Sequence, residues 1–157
     1  MSYQLFPEER QISPYIEAVN DARFVKTFGI LALIGSLITC GPGVMIGVGV
    51  AVLGFGSTKY FRILGISVAV LGGLSLLFRP AAALAALVLG VGIILKGREI
   101  LNVLEKEGRD DSDWEVTRKR TNVGLITSAI ACLIGLFWLS VFVLILLKPE
   151  LFAQPLN

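Results

Sequence analysis

Residues 27–58 read TFGILALIGSLITCGPGVMIGVGVAVLGFGST, 32 positions without a charge. As one helix this tract would be about 48 Å long, against a bilayer hydrocarbon core of about 30 Å. Its middle carries Cys40-Gly41-Pro42-Gly43, the strongest turn punctuation in the chain. The tract therefore predicts two arms, roughly 24–40 and 43–57, joined by a tight turn. The next apolar tract, 63–95, has the same construction and breaks at Arg79-Pro80, with Pro80 suited to the first position of the returning helix. A last tract, 123–147, has no internal break and predicts a single crossing. The expected fold is all-α, an integral membrane helical bundle of five transmembrane helices, two repeated hairpins plus one single span.

Composition supports a membrane setting. Of 157 residues, 55% are hydrophobic and only 17% charged, whereas soluble domains carry about a quarter charged residues. Mean hydropathy is +0.79. These values exclude a secreted disulfide scaffold, a nucleic-acid reader and an ordinary soluble enzyme. Net charge is +2 with no histidine, so no general field attracts nucleic acid. The two cysteines, Cys40 and Cys132, follow no CxxC pattern. The predicted depths differ, Cys40 at a turn and Cys132 inside a span, which argues against a disulfide between them.

Lysine and arginine placement tests the span count. With five crossings, Arg10, Arg23, Lys26, Lys59, Arg62, Lys96, Arg98, Lys106, Arg109, Arg118, Lys119 and Arg120 share one side. Only Arg79 and Lys148 fall on the other. That bias places the N-terminus inside. Four spans would put the seven-charge segment outside. Three spans would bury Arg79 near mid-membrane, at about 2.5–3.5 kcal/mol. The four early arms are shorter than the roughly 20 residues a span needs, which implies local thinning, snorkelling or re-entrant hairpins.

The resulting organisation is a cytoplasmic segment 1–23 with a short amphipathic helix, hairpins 24–58 and 59–95, a charged inside loop 96–121, a single span 122–148 and an outer tail 149–157. Met1–Arg10 lack the basic and apolar regions of a signal peptide, so the first span is expected to direct insertion. Ser13 and Pro14 read as a cap and first helical residue. The amphipathic face is expected to gather Ile12, Tyr15, Ile16 and Val19 against Glu17, Asn20 and Asp21. Residues 98–107 extend the preceding helix, with Ile100, Leu101 and Leu104 on one stripe.

The hairpins recur with a period of about 36–38 residues, Lys26-Thr27-Phe28-Gly29-Ile30 matching Arg62-Ile63-Leu64-Gly65-Ile66. Small residues recur at helical spacing, which in lipid marks close backbone approach. The expected packing or partner-interface positions are Gly43, Gly47 and Ala51, Gly65, Ala69 and Gly73, Ala82, Ala86 and Gly90, and Gly124, Ser128 and Gly135. Arg118-Lys119-Arg120 is expected to touch lipid headgroups. Asp110, Asp111, Asp113, Trp114 and Glu115 form a candidate docking loop for a basic partner. The run Asp110-Asp111-Ser112-Asp113 lacks the glycine and distal glutamate of an EF-hand, so no calcium site is expected.

The apolar tracts 27–58, 63–95 and 123–147 hold no Asp, Glu or Lys, and hence no proton relay, cation-binding carboxylate or voltage sensor. A serine nucleophile there would have no base. Ser36, Thr39, Ser67, Ser75, Thr127, Ser128 and Ser140 are expected to bond back to their own helix or across to a neighbour. No catalytic residue, metal site or cofactor is expected.

The pattern Gly65-Ile66-x4-Leu71-Gly72, Leu76-Leu77-x2-Pro80, Leu84-x2-Leu87-x2-Gly90 and Ile93-x3-Gly97 is similar to the short repeat of HdeD-like bacterial membrane proteins. A weaker copy runs from Gly29 through Pro42 to Gly54, so the resemblance covers about 24–101. It implies a polytopic inner-membrane protein linked to acid stress, with no catalytic residues to carry over. That family has six spans, and here the last return arm is missing. The expected function is non-enzymatic and structural or interactive, in a homo-oligomer or with other membrane proteins in the lipid bilayer. The alternatives are an accessory subunit or assembly factor of a larger complex, photosynthetic or respiratory ones included, and a passive channel or small-solute permease. The expected location is the bacterial plasma membrane, with a thylakoid as the alternative.

Overall fold

The computed structural model of the chain describes residues 14–37, 42–56, 58–78, 80–107 and 112–148. They form five helices: α1 (Pro14–Leu37), α2 (Pro42–Phe55), α3 (Lys59–Leu74), α4 (Pro80–Glu107) and α5 (Ser112–Leu147). No strand occurs among the described residues, so the molecule is all-α. Prolines open α1, α2 and α4. A first-turn residue has no intrahelical use for its N–H, and the proline φ is already helical. Ser13, Thr39, Cys40 and Arg79 lie outside the described residues.

Close contacts fix the helix directions. Gly49 stands against Ala69, Gly65 against Leu53 and Gly72 against Ile46, so α2 and α3 are antiparallel. Gly97 meets Leu125, Gly90 meets Ser128 and Cys132, and Gly135 meets Leu87, so α4 and α5 are antiparallel too. Gly124 lies on Val25, and Gly29 lies on Gly124 and Thr127, so α1 and α5 run together. Phe28 meets Phe61 and Gly35 meets Met45, so α1 also runs with α3 and the helices alternate in direction. The main partner of α2 is α3, and that of α4 is α5, while α1 lies across α5 and α4. This alternation collects Arg23, Lys26, Lys59, Arg62, Lys96, Arg98 and Lys106 with the Arg118–Arg120 triplet at one basic end.

Two kinds of side chain fill the interior. At the basic end Phe28 and Phe61 meet edge to face at 5.3 Å, with Phe24 and Tyr60 completing the aromatic group. Toward the other end α4 contributes Ala81, Ala82, Ala83, Ala85 and Ala86, all buried. Their small side chains let α4 sit close to its neighbours, and Leu89, Ile93, Ile100 and Leu104 continue the buried stripe along the helix.

At 1.5 Å per residue, α4 is about 42 Å long and α5 about 54 Å, whereas α2 and α3 reach about 21 and 24 Å against a core of about 30 Å. Two helices, α4 and α5, are long and apolar enough to cross a membrane. The outside is apolar over much of its extent. Ile63, Ile66, Val70 and Leu74 of α3, Val91 and Leu95 of α4, and Ile126, Ile130, Leu133 and Leu136 of α5 are all exposed. Soluble monomers rarely leave contiguous apolar surface on this scale open. The head of α4 is reached about one helical turn beyond Gly135, near Trp138. Past it, Val143–Leu147 are all exposed.

Two local readings change. The expected charged loop through residue 121 is largely helical, because α4 runs to Glu107 and α5 begins at Ser112. Asp113 and Glu115 sit in the first turn of α5, where carboxylates complement the helix dipole. Trp114 Nε1 donates to Leu104 O at 3.2 Å, tying that turn back to α4. Trp114→Phe should lower stability by about 1 kcal/mol through loss of this bond, read as a shift in thermal unfolding of the detergent-solubilised protein. A variant as stable as the parent would show that the bond contributes nothing.

The start of α1 presents a different face from the expected one. Ala18, Asp21, Ala22 and Val25 are buried and Tyr15 and Val19 half-buried, with Tyr15 packed against the core, while Ile16 is exposed and Ile12 lies outside the described residues. The alanines explain the rotation, since their small side chains admit close neighbours where Ile16 would hold them off.

Candidate functional site

Asp21 is only 1% exposed, one turn after Ala18 on α1. An isolated carboxylate at that depth would be costly, and its counter-ion comes from α4. Lys96 Nζ lies 3.3 Å from Asp21 Oδ2 and 3.1 Å from Glu99 Oε2, with its side chain 11% exposed. The ammonium also sits 5.8 Å from the centre of the Tyr60 ring on α3. Tyr60 is anchored in turn, because its hydroxyl donates to Gly92 O at 2.7 Å. Gly92 packs against Leu64, where a Cβ would come within 2.6 Å of Leu64 Cδ1, so a larger residue would require the Leu64 side chain to shift.

The charges are not fully matched. Neither Asp21 carboxylate oxygen accepts a hydrogen bond, Lys96 meeting Oδ2 as an ion pair only. A cavity of about 60 Å³ lies beside it, lined by Glu17, Ala18, Asp21, Lys96 and Glu99 among others. Burial raises the Asp21 pKa above the ordinary aspartate value, and Lys96 opposes that shift while Glu17 and Glu99 add to it. Among the described residues no group of three or more His, Cys, Asp or Glu side chains is placed to hold a metal ion.

The small residues expected to mediate packing differ in how deeply they sit. Gly65, Ala82, Ala86, Gly90, Gly124, Ser128 and Gly135 are buried. Ala51 and Ala69 are half-buried, and Ala69 receives Gly49. Gly47 and Gly73 face open space. Gly43 begins α2, and nothing further is described of it. The contacts also recruit Gly29, Gly49, Gly72 and Gly97, which a single stripe per helix did not select.

The polar candidates at the α5 start are spread out. Asp110 and Asp111 lie outside the described residues. Asp113 and Glu115 are exposed, and Glu115 pairs with Lys119 at 2.7 Å. Arg118 stacks over the Trp114 ring at 5.1 Å, and Arg120 is half-buried. Ser36, Ser67, Ser75, Thr127 and Ser140 each donate to a carbonyl three or four residues earlier, and Ser128 Oγ is buried. Cys132 is half-buried with its Sγ against Gly90.

Sequence reasoning placed Asp21 on a wet helix face and Lys96 in a loop, and so missed their pairing. The one available signal was an acidic residue among alanines just before the first apolar tract, with a lysine just after the fourth arm. Set against known protein families, curated proteins and solved structures, the chain finds no match.

Proposed function

We propose that this chain is a non-enzymatic integral membrane protein of five crossings, with the basic end and the N-terminus inside, whose α5 binds another membrane protein. The observation that carries this reading is the bareness of α5. Only 11% of its most apolar stretch is buried by the rest of the chain, against 56% for the corresponding stretch of α4. Lipid could cover that surface. Its length beyond the head of α4, with Trp138 and Phe137 in edge contact at 6.0 Å, also suits a helix that docks against a neighbour. Gathering the basic residues at one end favours the same orientation as the positive-inside rule. The hydroxyls turned back onto their own helices favour a structural role over a passive pore. A bacterial plasma membrane is the proposed location.

The test is native mass in mild detergent, with identification of co-purifying proteins. A particle at a small multiple of 16.9 kDa would identify a homo-oligomer. Stoichiometric foreign subunits would identify an accessory role. A monomer carrying only lipid would overturn the interaction reading.

A further inference from the structure

The cavity between the first turns of α1 and the cytoplasm-facing half of α4 has a chemistry of its own, independent of how α5 is used. It is small, about 60 Å³, room for roughly one or two waters or an aminomethyl-sized group. Three carboxylates line it, from Glu17, Asp21 and Glu99, against the single ammonium of Lys96. Fully ionised, these four groups leave an excess of two negative charges. Asp21 supplies the independent sign that something is wanted there, being buried with an oxygen that accepts no hydrogen bond. The remaining wall includes the aliphatic side chains of Ala18 and Ile100.

We propose that this cavity is a binding site for a primary ammonium group on a short alkyl chain. Such a group brings three N–H donors and one positive charge. One donor would satisfy an Asp21 oxygen, and the others would face Glu17 and Glu99 in the same cavity wall, while the adjoining methylene would rest on Ala18 and Ile100. A bare metal ion fits less well, because the Lys96 ammonium already occupies the space between Asp21 and Glu99. A quaternary ammonium has no N–H to give. The ammonium could belong to a phosphatidylethanolamine headgroup at the inner membrane surface or to a free amine.

The test uses the full chain reconstituted in phosphatidylcholine nanodiscs and in nanodiscs containing phosphatidylethanolamine, with thermal unfolding as the readout. Ethylammonium chloride should raise the unfolding temperature saturably in phosphatidylcholine, and tetramethylammonium chloride at equal ionic strength should not. If the lipid is the source, phosphatidylethanolamine should raise the starting temperature and remove the response to added amine. If a free amine is the source, the response should persist in both lipids. Asp21→Asn should weaken the ethylammonium response about ten- to a hundredfold, as loss of a charge-assisted hydrogen bond implies. Glu17→Gln and Glu99→Gln, at the rim, should weaken it less and serve if Asp21→Asn does not fold. Equal responses to ethylammonium and tetramethylammonium, no saturable response in either lipid, or rim variants with unchanged response would overturn the proposal.

Discussion

Gly49→Val should unfold the α2–α3 pair. A Cβ at Gly49 would run into the backbone nitrogen of Ala69 and lie 2.6 Å from its Cα. Backbone cannot move aside as the end of a flexible side chain can. The opposing wall is equally close, since a Cβ at Gly65 would stand 2.7 Å from Leu53 N. Overpacking a well-filled core costs about 1–3 kcal/mol, occasionally more, and the branched valine at a backbone contact belongs at the upper end. In the proposed membrane setting, lipid would offer these two short helices no alternative hydrophobic gain for separating, so the loss would fall directly on their packing. Gly47→Ala is the matched control, because nothing lies within 4 Å of the added methyl. It should be neutral or stabilising by up to about 1 kcal/mol through helix propensity. Thermal unfolding of the two purified variants decides the matter. Equal stabilities would mean that α2 and α3 do not meet through Gly49.

Lys96→Met should be the most damaging single change at the basic end. It removes the counter-ion of a carboxylate that is 1% exposed and leaves Glu17 and Glu99 nearby with the same sign. Breaking a buried pair from one side costs about 3–5 kcal/mol, because the remaining charge stays desolvated or must be protonated. Asp21→Asn should cost less, since Lys96 keeps Glu99 at 3.1 Å. The double variant Asp21→Asn with Lys96→Met should recover most of the loss, because a buried ion pair contributes little over a neutral replacement. A double-mutant cycle on unfolding midpoints gives the coupling directly. Additive losses would show that the two side chains do not act on each other.

These two sites mark where sequence reading succeeds and where it stops. The helices and the breaks between them were legible, because Pro42 and Pro80 cannot continue a helix and suit its first turn. The close approach of backbones was legible as a principle from the glycine content. Which glycine makes contact was not, since α2 carries Gly47 and Gly49 on different faces and only the partner's position selects Gly49. The burial of Asp21 was hidden for a related reason. A face chosen for apolar side chains assumes that water lies outside, but here small residues decide which face packs inward, so Ala18 and Ala22 outweigh Ile16. Its ion pair joins residues 75 positions apart in the chain, which no local pattern can register.

Five crossings with the basic end inside make a direct demand on the two short helices. Single cysteines at Lys59, where α3 begins, and at Leu77, between α3 and α4, test it when Cys40 and Cys132 are replaced by alanine. Both probe positions are exposed, so a membrane-impermeant maleimide reports the side of the membrane on which each lies. In intact cells Leu77→Cys should label at once, and Lys59→Cys should label only after the membrane is opened. Labelling of both from the same side would contradict five crossings, since α3 would then enter the bilayer without passing through it.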